Sequence, residues 1–223
     1  MEVTGNRVSV AGPHQGQPVK LAGAQLREAS AAIIMLHGRG ADAQDILSVA
    51  DVLDTSKVTF VAPEAAGNTW YPYSFLADIE QNEPYLSSAL ELIDEQMRML
   101  QANRIPAERT MLLGFSQGAC LAVEYAARHA KRYGGIAGLS GGLIGPDETP
   151  REYAGSFDGT PVFLGCSDHD PHIPPQRVIE TEAVLKRMGA EVTRKLYPKM
   201  GHTISREEIA EVQKMVGRLE MRA

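Results

Sequence analysis

The sequence predicts an α/β protein with a mostly parallel, doubly wound central sheet flanked by helices, and three observations carry that expectation. Several short segments are apolar without a break instead of alternating, as strands buried on both faces are. Segments of helical period stand between them. The two kinds alternate along the whole length with no long linker, low-complexity tract or internal repeat, so the 223 residues read as one domain, 1–223.

Residues 6–10 and 17–21 look like two short strands around a Gly/Pro turn. Residues 31–37 form the first buried strand, a continuous apolar run ending in His37 and stopped by Gly38. The same pattern recurs at 58–61, 110–115, 135–139 and 161–165, and these five strands imply the parallel sheet. A helix over 84–102 places Leu86, Leu90, Ile93, Met97 and Leu100 on one stripe, and another over 117–130 follows a strand directly. After a strand at 192–197, Ser205 opens the last helix with Glu208 three residues on, a capping box, and Ile209, Val212, Val216 and Leu219 form its apolar face.

Composition narrows the function classes. Hydrophobic residues make up 43% and charged residues 22%, enough to bury a sizeable core. Lys and Arg number 22 against 28 Asp and Glu, a net charge of −6 with no basic run, so neither nucleic acid nor an anionic membrane is expected as a partner. The longest apolar run, Ala31–Leu36, falls far short of the roughly 20 residues a spanning helix needs, so no membrane insertion is expected. No secretory signal is visible at the N-terminus, and Cys120 and Cys166 read as free core thiols, which together predict a cytoplasmic protein. A homodimer stays open.

In a doubly wound sheet the ligand site lies beyond the carboxyl ends of the strands. There, Gly114-Phe115-Ser116-Gln117-Gly118 stands between a strand and a helix, the context of a nucleophile elbow. The tight turn brings the backbone on either side of Ser116 together, and the following helix offers its positive end beneath the hydroxyl. A serine needs a histidine base and an orienting carboxylate, in the chain order Ser, Asp, His for this arrangement. His202, in the loop after residues 192–197, has the position of the base. The loop after 161–165 holds both Asp168 and Asp170 as candidate orienters, and composition does not choose between them. Reading His169, Asp170 and His172 as metal ligands has no spacing with a mechanism behind it, so no metal or cofactor is expected.

Leu36-His37-Gly38-Arg39-Gly40, the elbow around Ser116, the stretch from Asp168 through Asp170-Pro171-His172-Ile173-Pro174, and Gly201-His202 together resemble the phospholipase/carboxylesterase family of α/β-hydrolases, which includes the acyl-protein thioesterases. The likeness runs from about the third strand to the end of the chain. It implies the α/β-hydrolase fold, and it implies Asp170, the aspartate before the proline, as orienter, with Asp168 in support. The backbone N–H groups of Arg39 and Gln117 fit the oxyanion hole, with His37 shaping the loop. Acyl-protein thioesterases tend to carry an apolar residue where Arg39 stands, and this departure argues against a deacylase of long lipid chains.

The expected activity is therefore that of a serine hydrolase cleaving small carboxylic esters, or thioesters, through an acyl-enzyme on Ser116. Two alternatives stand beside it. One is a dienelactone-hydrolase-like enzyme, which would by resemblance carry a cysteine at the Ser116 position; the other is a non-catalytic ligand-binding protein of the same fold, which would lack a member of the triad. Finally, Trp70, Tyr71, Tyr73 and Phe75 crowd into six positions of the stretch 63–84. They read either as a satellite packing cluster or, as the resemblance favours, as the apolar wall of a substrate site.

Overall fold

The computed structural model describes residues 12–221. The first apolar segments become β1 (Val19–Gly23), β2 (Ala31–Leu36) and β3 (Val58–Pro63), with the short helix α1 (Ala43–Leu47) after β2. Helix α2 (Tyr85–Ala102) leads to β4 (Thr110–Phe115), α3 (Gln117–Arg128) and β5 (Gly135–Leu139). The chain ends through β6 (Pro161–Ser167), α4 (Pro175–Arg187), β7 (Glu191–Tyr197) and α5 (Arg206–Met221). The expected strand at residues 6–10 lies outside the described residues. The second expected strand is shifted two positions onward, and α1 and α4 were not foreseen.

The seven strands form one sheet in the order β1-β3-β2-β4-β5-β6-β7. Only β1 runs antiparallel, on the edge beside β3; the others are parallel. All six residues of β2 are buried, because its side chains alternate between two apolar layers. Ala32, Ile34 and Leu36 join the layer of α2, α3 and α4, while Ala31, Ile33 and Met35 join that of α1 and α5. That is why the strand reads as an unbroken apolar run. The expected stripe of α2 is buried throughout. Ser205 and Glu208 do form the capping box: the Ser205 N–H donates to Glu208 Oε2 at 2.8 Å and the Glu208 N–H to Ser205 Oγ at 3.2 Å.

Strand β2 hydrogen-bonds to β3 on one side and to β4 on the other, with Leu36 opposite Gly114. The order reverses here, so the loops leaving β2 and β4 part toward opposite faces and open a crevice between them. Because β2 is buried on both faces, truncating one of its side chains opens a cavity in the core. Ile34→Ala should cost about 2–5 kcal/mol of unfolding free energy, read from urea denaturation; a loss below about 1 kcal/mol would contradict the central position of this strand.

Candidate active site

Ser116 occupies the turn between β4 and α3 with φ 55° and ψ −118°. A residue with a Cβ stores on the order of 1–3 kcal/mol of strain in such a conformation, so the surroundings must impose it. They do so through hydrogen bonds on both sides: the Ser116 N–H donates to the Leu139 carbonyl at 2.9 Å, and its own carbonyl accepts the Cys120 N–H at 3.0 Å. The turn also needs glycine at both ends. A Cβ on Gly114 would stand 2.2 Å from the Gly118 carbonyl oxygen, and one on Gly118 would stand 2.2 Å from that of Leu36.

His202 leaves the loop after β7 and lies between Phe115 and His172, its ring centroid 5.0 Å and 4.8 Å from theirs. Its Nε2 is 2.8 Å from Ser116 Oγ, which donates to it, and its Nδ1–H donates to Asp170 Oδ2 at 2.7 Å. Asp170 comes from the loop after β6, where its Oδ1 accepts the N–H groups of His172 at 2.8 Å and Ile173 at 3.0 Å. Burial is the largest single influence on this carboxyl and opposes its charge. The His202 ring N–H and the two backbone N–H groups together outweigh it and hold the pKa below the ordinary carboxylate value. The Cys166 thiol, pushed up to about 12 mainly by burial, stays protonated 3.8 Å from Asp170 Oδ2.

Asp168 does not reach the imidazole of His202. Its Oδ1 accepts the Lys199 N–H at 2.8 Å and faces exposed His169 at 2.7 Å. With Ser167 Oγ accepting the Gly201 N–H at 3.2 Å, it ties the loop that carries His202 to the loop that carries Asp170. Among the described residues no three His, Cys, Asp or Glu side chains are grouped to hold a metal ion, and no helix is long and apolar enough to cross a membrane.

The N–H groups of Arg39 and Gln117 make no hydrogen bond among the described residues and are free to meet a ligand. The loop after β2 comes close to the serine, since a Cβ on Gly38 would lie 3.6 Å from the Cβ of Ser116. His37 is buried and neutral in its contacts: Nδ1–H donates to the Gly38 carbonyl at 2.8 Å while Nε2 accepts the Ala65 N–H at 3.1 Å. His14 repeats the arrangement one residue on, with Nδ1 accepting the Ala66 N–H at 3.0 Å and Nε2–H donating to the Trp70 carbonyl at 2.9 Å. His14 carried no signal in the sequence, because its partners lie 52 and 56 positions away.

Ser116 and His202 open into a cleft of about 460 Å³, bordered by Tyr71, Tyr73, Phe75, Cys120, His172 and Ile173. The volume is that of a small-molecule site. Cys120, expected as a core thiol, follows Ser116 by one helical turn, the spacing that turns it the same way; His172 and Ile173 belong to the motif quoted above, but nothing in the sequence marked them as bordering the cleft. Trp70 corrects the expected aromatic wall. It does not border the cleft; it is fully buried, its ring 4.8 Å from that of His37 and 5.6 Å from that of His14. Its indole N–H donates to the His37 carbonyl at 2.8 Å. The largest ring of the segment thus packs beneath the site, where its N–H finds an acceptor, while the other three face the crevice. A cleft of similar size between β6, β7 and α5, lined by Lys186, Glu211 and Lys214 among others, contains no serine, cysteine or histidine.

The phospholipase/carboxylesterase family model matches residues 23–219. A crystal structure of a phospholipase/carboxylesterase from Dyadobacter fermentans superimposes with a TM-score of 0.88 at 43% identity, covering 92% of this chain and 99% of that one. Acyl-protein thioesterase 1 of Candida albicans is 27% identical over 84% of this chain and 91% of its own length. Acyl-protein thioesterase 1 of Gibberella zeae is 35% identical over 49% of this chain, and the match spans only 47% of that protein.

Burial lowers the pKa of both His14 and His37 more than any contact raises it. Between those depressed values and the ordinary value of about 6.5 the unfolded chain binds protons that the folded chain does not, so stability rises with pH through this window and falls as acid is added. Urea midpoints should therefore drop between pH 7.5 and 5.5, and the drop should shrink in His14→Gln. An equal pH slope in the two proteins would overturn the assignment. Trp70→Ala should lower the unfolding free energy by about 3–5 kcal/mol, as loss of a buried indole does.

Proposed function

This chain belongs to the phospholipase/carboxylesterase family of ester hydrolases, and on that premise we propose that it is a serine hydrolase cleaving small carboxylic esters, or thioesters, through an acyl-enzyme on Ser116. The observation that carries the reading is the unbroken relay from Ser116 Oγ through the His202 ring to Asp170 Oδ2, with contacts of 2.8 Å and 2.7 Å. In it, Ser116 Oγ attacks the substrate carbonyl carbon as its proton passes to His202 Nε2. The negative Asp170 stabilises the imidazolium and fixes the ring so that Nε2 faces the serine.

The carbonyl oxygen becomes an oxyanion beside the N–H groups of Arg39 and Gln117, which need no reorientation because the β2 and β4 turns already fix their backbones. His202 then gives its proton to the departing alkoxide or thiolate. In the second half, water loses a proton to His202, attacks the acyl carbon and releases the acid, restoring Ser116. Tyr71, Tyr73, Phe75 and Ile173 supply the apolar surface for the substrate. The two unpaired buried thiols support a reducing compartment such as the cytoplasm.

Ser116→Ala should lower kcat for nitrophenyl esters on the order of 10³-fold or more with an unchanged melting temperature, and activity within tenfold of wild type would sink the mechanism. A fluorophosphonate should label Ser116, located by mass spectrometry of the adduct. Asp170→Asn should cost far more in kcat than Asp168→Asn, since only Asp170 faces the imidazolium; the reverse order would move the orienter to Asp168.

A further inference from the structure

The side chains of the two residues assigned to the oxyanion hole reach across the cleft and meet on a single atom. Gln117 Nε2–H donates to the Tyr71 carbonyl at 2.8 Å, and Arg39 Nη2–H donates to the same oxygen at 2.9 Å. Neither contact is isolated. Gln117 Oε1 accepts the Trp70 N–H at 2.9 Å, so its carboxamide grips this segment as a neighbouring strand would. The Arg39 guanidinium also donates to the carbonyls of Pro72 at 2.9 Å and Tyr73 at 2.6 Å. The backbones behind them are joined as well, by the Gly40 N–H donating to the Asn68 carbonyl at 2.7 Å and Asn68 Nδ2–H to that of Ala41 at 2.8 Å.

A guanidinium is a fixed planar fork, and holding three successive carbonyls uses that geometry. An ammonium or an apolar side chain at position 39 would not span them. Arg39 is exposed at the cleft rim, so its hydrogen bonds there do not come from a general requirement to satisfy a buried charge. They join two elements that chemistry uses differently: the wall of Tyr71, Tyr73 and Phe75, which an acyl chain would touch, and the Arg39 and Gln117 N–H groups, which an oxyanion would touch.

We propose that Arg39 and Gln117 are positioning residues whose side chains, joined at the Tyr71 carbonyl, couple occupancy of the aromatic wall to the placement of the oxyanion donors, and that Arg39 thereby sets acyl-chain selectivity. The inference rests on the serine hydrolase reading. Binding energy from a remote part of a substrate raises kcat only when it is transmitted to the reacting centre; untransmitted, it lowers KM alone. Displacement of a donor by even 1 Å can cost about 10²-fold. A chain resting against a wall braced by Arg39 therefore holds the donors where the oxyanion forms, and an acetyl group, with a single methyl to lay against the wall, draws on the brace least.

The test compares kcat and KM on nitrophenyl acetate and nitrophenyl hexanoate for the wild type, Arg39→Ala and Arg39→Lys. In the wild type kcat should rise with chain length. In Arg39→Ala that rise should be lost, with hexanoate kcat falling on the order of tenfold and acetate kcat much less, while KM still falls with length because the rings remain. Guanidinium ion at tens of millimolar, about 10²-fold below denaturing strength in effect, should restore part of the hexanoate kcat, and Arg39→Lys should lie between the two proteins. Equal losses on both esters, a wild type without any kcat gain, or no guanidinium rescue would overturn the coupling. Should Arg39→Ala fail to fold, the ratio in Arg39→Lys decides. Ser116→Ala assayed in parallel separates the two readings: an active Ser116→Ala removes the hydrolase mechanism, whereas an inactive one beside a wild-type chain-length profile in Arg39→Ala removes the coupling alone.

Discussion

The close approach of three backbones at the β2–β4 crossover sets the geometry of everything around it. Strand β4 must turn into α3 at Ser116 without room for a side chain at Gly114 or Gly118, because the start of α3 backs directly on the carbonyls of Leu36 and His37. Moving α3 outward by the width of a methyl would relieve that contact. It would also withdraw the Gln117 N–H from the side of the Leu36–Gly40 loop and loosen the Ser116 bond to Leu139. The positive φ of Ser116 is thus maintained by packing on α3, whose residues are buried from Gln117 through Ala127. The strain is local, and the hydrophobic layers that hold it are spread over the whole sheet.

The remaining members of the site reach Ser116 from the other half of the sheet. Asp170 and His202 follow β6 and β7, two adjacent parallel strands in register from Pro161–Glu191 to Ser167–Tyr197. Parallel register alone leaves two flexible loops. Asp168 and Ser167 remove that freedom by accepting N–H groups of Lys199 and Gly201, and the capping box at Ser205 and Glu208 fixes where the His202 loop enters α5. The neighbourhood of His202 is therefore organised by polar side chains that never touch its ring, an arrangement that limits the orientations open to the imidazole before substrate arrives.

Much of this was legible in the sequence for a physical reason: buried parallel strands advertise themselves as unbroken apolar runs, and a glycine-flanked serine between such a run and a helix has few conformations open to it. The five buried strands, the α2 stripe and the capping box followed from spacing alone. What escaped was set by long-range partners. The density of rings from Trp70 to Phe75 was visible, but which ring turns inward depends on Gln117, 47 positions from Trp70, and on His37, 33 positions away. The preference for Asp170 over Asp168 came from the family resemblance and not from composition, because the placement of the two carboxylates turns on loop closure against residues 199–202, which no local pattern encodes. Helix α1, only five residues long, is held by its Asp42 capping box and by burial of Ala43, Ile46 and Leu47 more than by its own periodicity.

Trp70 and the two histidines flanking it pack beneath the cleft wall, and the side chains of Arg39 and Gln117 hydrogen-bond to its backbone. Each histidine is satisfied only as a neutral ring, one nitrogen donating and the other accepting from consecutive amides at Ala65 and Ala66. Protonation would turn each accepting nitrogen into a donor facing another donor, so the contacts that position the wall exist in one charge state. The segment from Ala65 to Tyr73 carries little regular structure beyond one short 3-10 turn, yet it is bonded on both sides at nearly every residue that faces the site. A loop held in this way is tied to the turns that leave the sheet, and a charged residue at its rim fits that role better than an apolar one: the guanidinium of Arg39 hydrogen-bonds three successive carbonyls of the wall, and the Tyr71, Tyr73 and Phe75 rings line the cleft.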